Sequence, residues 1–117
     1  MNHQLGRQGE DFAALILEQA GLTIVRRNYR CPKGEMDIIA WDKNTLIFVE
    51  VRTRSSAERG WGEESITAAK RRRLNQTAAF YILEAGYKDW PSMRLDLIAI
   101  RWNGKNTEPI SRWIQGI

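Results

Sequence analysis

The chain has 117 residues, of which 43% are apolar and 27% charged, and its formal net charge is +4. This length fits one domain, and the composition is typical of a globular rather than a disordered protein. No apolar run approaches the roughly 20 residues of a membrane-spanning helix, and the first residues hold no apolar signal core. We therefore expect a cytoplasmic protein. With a single cysteine, neither an internal disulfide nor a cysteine-based zinc cluster is possible.

The positive charge is concentrated in one part of the chain. Residues 52–73 contain seven basic and three acidic residues, an excess equal to the net charge of the whole chain. A surface that binds a polyanion requires a local excess of this kind. The sequence thus favours nucleic acid as a partner and gives no sign of a membrane partner.

The hydrophobic pattern predicts seven elements in the order αβββαββ, forming one mixed α/β domain over residues 1–117. The DKNT sequence joins the second and third strands as a hairpin. Pro109 and Ser111 weaken the last strand. The predicted elements are a helix over 8–20, strands over 22–29, 34–41 and 46–52, a helix over 64–85, and strands over 93–101 and 108–114.

The hairpin is the most informative part of the sequence. Side chains of a strand alternate between faces, and a turn of two or four residues within DKNT gives the same register. In that register Asp37 lies directly opposite Glu50 on one face, and Glu35 lies opposite Arg52. An odd-length turn or a bulge would break this arrangement.

Two carboxylates in opposite positions, with Cβ atoms about 5 Å apart, repel each other. A proton, a basic side chain such as Arg52 or Lys33, or a cation must neutralise the Asp37–Glu50 pair. Oxygen ligands of this kind suit Mg²⁺ or Mn²⁺, so the spacing indicates a metal site. A purely structural ion pair is the alternative.

A third carboxylate, Glu10, shares a helix face with Ala13 and Leu17 and is expected to tilt toward the core. The alternative is a favourable charge near a helix N-terminus, a role that Asp11 could fill equally well.

A run of four basic residues, Lys70 to Arg73, opens the second predicted helix. Lys70 falls on its apolar side, whereas Arg71 and Arg72 point away from it. Such a run is usually a solvated face, but like charges repel, and no acidic residue follows before Glu84. The tryptophans are more typical of a core or an interface than of base stacking. Trp61, between two glycines in a basic loop, is the one with a candidate functional role.

The chain contains a set of specific motifs: GRxGE at 6–10, RNYR at 27–30, GExDxIA at 34–40, FVEVRTR at 48–54 and RLDLIAI at 94–100. These motifs resemble those of the YraN-like family of small bacterial proteins, over nearly the whole chain. That family in turn resembles the PD-(D/E)XK nuclease superfamily and, within it, the archaeal Holliday-junction resolvases. The resemblance implies a restriction-endonuclease-like core, with a central mixed β-sheet flanked by helices.

The resemblance also implies roles for individual residues. Asp37 and Glu50 stand at the acidic positions of the nuclease motif, and Glu10 matches the acidic residue of the first helix. Arg52 stands where the motif has lysine, and arginine cannot act as a base. Lys70, projecting from the following helix, is a candidate substitute for that lysine.

The function implied is a Mg²⁺- or Mn²⁺-dependent endonuclease acting on DNA, with branched DNA as one candidate. Asp37, Glu50 and Glu10 would bind the metal, Arg52 or Lys70 would stabilise developing charge, and Arg54, Arg71, Arg72 and Arg73 would hold backbone phosphates. Resolvase-like nucleases often work as symmetric dimers, which suggests a homodimer. The alternatives are a catalytically inactive nucleic-acid-binding module and a protein-interaction domain that uses its tryptophans.

Overall fold

A computed structural model describes residues 3–55, 60, 66–102 and 108–117. Its element order is αβββαββ, which confirms the predicted α/β class and order. The elements are α1 (His3–Gln19), β1 (Thr23–Cys31), β2 (Gly34–Asp42), β3 (Thr45–Ser55), α2 (Ala68–Ala85), β4 (Ser92–Trp102) and β5 (Ile110–Gln115).

The strands form a mixed sheet in the order β1-β2-β3-β4-β5. Only β3 and β4 are parallel, and the other neighbouring pairs are antiparallel. A parallel pair needs a long crossover, which the segment containing α2 supplies. β3 and β4 pair over eleven residues each without a register shift, so they form the regular centre of the sheet.

The two helices cover opposite faces of the sheet. On one face, Ala13 and Leu17 of α1 pack against a cluster that includes Ile38, Val49 and Ile98. On the other, α2 packs mainly over β2 and β1. Its contribution to the core there consists of Leu74, Ala78 and Ile82, beside Tyr29, Ile39, Phe48 and Leu95. Successive side chains of the central strands point alternately into the two cores. Both faces of these strands are therefore buried, which explains why their sequences are almost continuously apolar.

The first helix is longer than predicted. It begins at His3 rather than residue 8 and runs through both glycines of the GRxGE motif. A Cβ on Gly6 would meet nothing within 4 Å, whereas one on Gly9 would overlap the side-chain hydroxyl of Thr53. Gly9 therefore allows the close approach of α1 to β3. Glu10 lies well inside the helix, so its interpretation as a charge at the helix N-terminus is wrong.

The predicted hairpin register is confirmed where the β2–β3 ladder runs. Ile39 pairs with Phe48, and Trp41 pairs with Leu46. The turn is the two-residue type, because Asp42 pairs with Thr45. Lys43 in this turn has φ 54°, as tight hairpin turns require.

The second helix starts later than predicted. Its N-cap is Thr67, whose hydroxyl accepts a hydrogen bond from the Lys70 backbone N–H at 3.1 Å, and Ile66 lies before the helix. A threonine with extended backbone is a favourable N-cap, so the helix begins after Thr67, although the apolar pattern already begins at Ile66. The helix ends at Ala85, as predicted, and Gly86 after it adopts the left-handed conformation of a C-cap. Among the helices of the described residues, none is long and apolar enough to cross a membrane.

Candidate acidic site

The site forms where β2 and β3 separate. The ladder between these strands ends at Ile38–Val49, one pair short of the predicted Asp37–Glu50 pair. The Asp37 carboxylate instead accepts a hydrogen bond from the Val51 backbone N–H at 2.7 Å. A side-chain oxygen thus takes the place of a strand carbonyl, which anchors the carboxylate beside Glu50.

The neighbouring strand β1 is also irregular at this level. Arg27 pairs with Ile38 and Tyr29 with Met36, so Asn28 stands across from Asp37. Asn28 has φ 53°, a left-handed conformation that asparagine tolerates better than most residues. The sheet is therefore distorted on both sides of Asp37, in agreement with the tendency of unusual backbone to occur at functional sites.

Glu50 projects from β3 and is 7% exposed. Its Oε2 atom lies 3.1 Å from the Lys70 ammonium and 3.3 Å from the Arg52 guanidinium. Lys70 belongs to the first turn of α2, whose start is fixed by the Thr67 cap. One buried carboxylate thus holds together the centre of the sheet and the beginning of α2, and two cations offset its charge.

Asp37 carries an abnormal proton affinity. Burial, and next the neighbouring Glu50 carboxylate, raise the pKa of Asp37 to about 7, although the hydrogen bond from Val51 N–H opposes this rise. The two carboxyl groups are close enough to hydrogen-bond each other when one is protonated. Near neutral pH the pair therefore readily holds one proton, or a cation in its place.

Glu10 reaches toward the same region from α1, with its side chain 13% exposed. It is close enough to Asp37 to add a smaller contribution to the raised pKa. Its Oε1 atom accepts a hydrogen bond from Arg27 at 3.2 Å, and Arg27 also contacts Asp11 at 2.6 Å. Within the described part of the chain, no three His, Cys, Asp or Glu side chains are grouped so as to hold a metal ion. Glu10 is thus a neighbour of the acidic pair, tied to Arg27.

Arg52 does not make the contact with Glu35 that the extended hairpin register suggested. Glu35 lies 3.3 Å from Arg30 of β1, whereas Arg52 turns to Glu50. The reason is that the β2–β3 ladder has already ended at this level. The Arg52 Nε–H is buried and has no hydrogen-bond partner among the described residues. A buried donor without an acceptor costs about 1–3 kcal/mol, and an incoming oxyanion could satisfy it.

The donor set fits a magnesium-type cation. Mg²⁺ is usually bound by one or two carboxylates together with water and substrate phosphates, rather than by an all-protein cage. Asp37 and Glu50 supply two adjacent carboxylates that repel each other, which a divalent cation would relieve. They are the two residues that would hold it.

The remaining phosphate-binding candidates of the sequence analysis lie on β3 and α2. Arg54 follows Arg52 on the same strand face and is partly buried. Arg71, Arg72 and Arg73 are exposed on α2. Arg101 and Arg112 could not be added to this set from the sequence alone, because the parallel pairing of β3 with β4 that brings them near Arg54 and Arg52 was not predicted.

Most tryptophans have structural positions. Trp41 packs against Tyr87, Trp102 packs against Phe12, and the Trp113 Nε1–H donates to the buried Asp96 at 2.9 Å. Trp90 is 56% exposed, and Trp61 lies outside the described residues. These positions match the expectation that tryptophans mainly serve the core.

The fold and site define a small α/β protein with a five-stranded mixed sheet and a carboxylate pair, Glu50 buried and Asp37 partly buried, with Lys70 and Arg52 on Glu50. The chain belongs to the family described as "Uncharacterised protein family UPF0102", whose model matches residues 9–100. This confirms the YraN-like family resemblance.

Relatives with the same family name cover most of the chain. A UPF0102 protein of Desulfitobacterium hafniense (strain DSM 10664 / DCB-2) is 58% identical over 97% of this chain and 94% of its own length. A UPF0102 protein of Syntrophotalea carbinolica is 44% identical over 89% of this chain and 84% of its own. One of Moorella thermoacetica is 44% identical over 81% and 78%.

Proposed function

We propose that this protein is a Mg²⁺- or Mn²⁺-dependent phosphodiesterase that acts on the backbone of DNA. The observation that carries the proposal is the Asp37–Glu50 pair at the point where β2 and β3 separate, with Lys70 and Arg52 both on Glu50. Two mutually repelling carboxylates bordered by cations form a site for a cation and a phosphate together. The resemblance of the family to PD-(D/E)XK nucleases supports the same function.

Within this proposal each side chain has a distinct task. A divalent cation bound at the carboxylates would supply charge neutralisation and an acidified water. Asp37 and Glu50 hold that cation, and the Val51 N–H keeps Asp37 in place. Lys70 orients the attacking water through its ammonium hydrogens. Arg52 directs its guanidinium to a phosphate oxygen and stabilises charge without exchanging a proton.

A non-catalytic nucleic-acid-binding module is the second candidate, and specific contacts favour it. Lys70 and Arg52 already offset the charge of Glu50, and Arg27 holds Glu10. Arginine also replaces the lysine of the nuclease motif. These contacts would preserve the fold and a basic surface without turnover.

Cleavage assays separate the two functions. Linear, nicked and four-way DNA are incubated with the protein and Mg²⁺ or Mn²⁺, with Asp37→Asn as the control for contaminating nuclease. The enzyme proposal expects cleavage by the wild type and none by Asp37→Asn. Identical behaviour of both proteins on every substrate would leave the binding module as the better account.

Arg52 provides the sharper prediction. Arg52→Lys should keep cleavage, because it retains a positive charge at the motif position. Arg52→Ala should lower the rate by about 10²–10³-fold, the usual loss on removing one charge-stabilising donor. Arg30→Ala, which removes an exposed arginine on the far edge of the sheet, is the matched control. If Arg52→Ala lowers only the stability and not the rate, Arg52 is a structural partner of Glu50.

A further inference from the structure

Four arginines share the sheet face that carries Glu50. Arg52 and Arg54 follow Glu50 at two-residue intervals on β3, so all three project to the same side. The contact between Lys70 and Glu50 shows that this is the α2 side. The β3–β4 register places Arg101 directly beside Arg54.

The β5 strand extends this set. Ala99 pairs with Arg52 on one side and with Arg112 on the other, which aligns Arg112 with Arg52 across β4. The neighbouring residues Ile98, Ile100 and Trp113 all pack into the α1 core. Since strand side chains alternate, Arg101 and Arg112 must lie on the opposite, α2 side. We call Arg52, Arg54, Arg101 and Arg112 the arginine face.

We propose that the arginine face binds the sugar–phosphate backbone of a nucleic-acid strand that runs from the acidic pair across β4 to the β5 edge. This deepens the proposed function by assigning the substrate path, and it rests on that function for its starting point at the acidic pair. Arg101 and Arg112 thereby become binding residues, and the path lies on the sheet rather than along the exposed arginines of α2.

The dimensions of the arginine face suit a phosphate backbone. Neighbouring strands lie about 4.8 Å apart, so β3 to β5 spans about 10 Å, over which one strand of a duplex advances by about three phosphates. Guanidinium groups bind phosphate with two parallel hydrogen bonds, so fixed arginines are well suited to this role. Arg101 also donates to the Gly60 carbonyl, which restricts its side chain.

The arginines of α2 are less suitable. Lys70 faces Glu50, and Arg72 lies about 200° farther around the helix, which directs it away from the sheet. Arg71, Arg72 and Arg73 are all exposed on the helix surface, where a run of charged residues is commonly solvated. A nucleic-acid strand held at the acidic pair would therefore contact the arginine face before it reached the arginines of α2.

The test measures binding in the absence of any metal. Fluorescence polarisation with labelled single-stranded and duplex DNA, in EDTA and over a series of salt concentrations, yields the slope of log K against log salt. Each phosphate contact contributes about −0.9 to this slope for duplex DNA and about −0.7 for single strands. Arg112→Gln should flatten the slope by about one contact and weaken binding several-fold. Arg112→Lys should retain both.

Two charge-matched controls locate the effect. Arg30→Gln removes an exposed arginine at the opposite sheet edge, and Arg72→Gln removes one on the outer side of α2. Both should leave the slope unchanged. An unchanged slope for Arg112→Gln, an equal loss in Arg30→Gln, or a wild type that binds no DNA would overturn the proposal. Binding of polyglutamate with the same dependence on Arg112 would overturn it in favour of an acidic protein partner.

Failure of the proposed function gives a different result. If the slope depends on Arg112 but no DNA is cleaved with Mg²⁺ or Mn²⁺, the arginine face stands and the enzyme proposal fails. If DNA is cleaved and Arg112→Gln changes neither slope nor affinity, the arginine face fails alone. Arg54→Gln gives an independent measure of the same surface should Arg112→Gln fold poorly.

Discussion

At the scale of single residues, two carboxylates on neighbouring parts of the sheet, Asp96 and Asp37, have opposite characters. Asp96 is fully buried and accepts hydrogen bonds from Arg94 at 2.8 and 2.9 Å, from Trp113 Nε1 at 2.9 Å and from the Gly116 N–H at 3.0 Å. Asp37 accepts one backbone hydrogen bond and faces another carboxylate. The first group stabilises β5 and the C-terminal residues, whereas the second is kept at an energetic cost, as functional groups often are.

This contrast predicts a pH-dependent stability difference. Because the pKa of Asp37 is raised from its ordinary 3.8 to about 7, the folded protein binds more protons than the unfolded chain between these values. Its contribution therefore lowers the free energy of unfolding as pH rises from about 4 to 7. Asp37→Asn keeps an acceptor for the Val51 N–H and removes the charge. It should stabilise the metal-free protein by about 2 kcal/mol at pH 8, within the upper bound of roughly 4 kcal/mol that the pKa implies.

Urea unfolding of both proteins at several pH values measures this effect. The difference between Asp37→Asn and wild type should be near zero at pH 4, grow to pH 7 and level off above. Asp96→Asn, the matched control, should destabilise at every pH because it weakens the contacts with Arg94. A pH-independent difference for Asp37→Asn would show that Asp37 titrates normally.

The residue scale also shows how far the sequence could predict the site. The two-residue alternation of strands predicted the β2–β3 register, which is confirmed as far as Ile38–Val49, one step before Asp37 and Glu50. It could not show that the ladder ends before them, because that depends on the hydrogen bond from Val51 to the Asp37 side chain. It also could not choose which base would contact Glu50, since Lys70 comes from a helix twenty residues away.

At the scale of elements, the position of α1 depends on Gly9. Its lack of a side chain lets the helix approach Thr53 of β3, which places Glu10 near the acidic pair. The sequence showed the GRxGE motif, and the predicted helix over 8–20 included Gly9 without a reason for a glycine there. The close contact that requires Gly9 involves a residue 44 positions later and cannot be inferred from local pattern.

Gly9→Ala should therefore destabilise the protein by about 1–3 kcal/mol, the usual cost of overpacking. Gly6→Ala is the matched control in the same helix, because its Cβ would meet nothing within 4 Å. It should be neutral or stabilise by up to about 1 kcal/mol, since alanine favours helices. Thermal unfolding of both variants checks this, and equal effects would contradict the close α1–β3 contact.

The strand pairing was the larger gap at this scale. Strand positions followed from the hydrophobic pattern, but the parallel alignment of β3 with β4 depends on how α2 crosses the sheet. That alignment brings Arg101 and Arg112 beside Arg52 and Arg54. The sequence therefore located the basic segment 52–73 without its continuation on the last two strands.

At the scale of the whole molecule, the acidic pair lies beside basic side chains that neighbouring elements contribute. The acidic pair lies on the sheet between the two helices. Folding holds the carboxylates together against repulsion, with Lys70 and Arg52 as partial compensation. A cation bound at the pair should then stabilise the entire fold, because it binds the folded chain only.

The last prediction follows from this linkage. At pH 8, Mg²⁺ or Mn²⁺ at a hundredfold excess over its Kd should stabilise the wild type by about 2.7 kcal/mol and raise Tm by several degrees. The carboxylates must be deprotonated to bind, so the apparent affinity should fall about tenfold per pH unit below the Asp37 pKa of about 7. Asp37→Asn should lose the metal-dependent rise in Tm even though its metal-free Tm is higher. Glu35→Gln, which changes an exposed carboxylate outside the site, should keep the full rise. Differential scanning calorimetry across metal concentration and pH measures all three proteins. An equal metal effect in wild type and Asp37→Asn would mean that the cation binds elsewhere and that Lys70 and Arg52 are the pair's permanent partners.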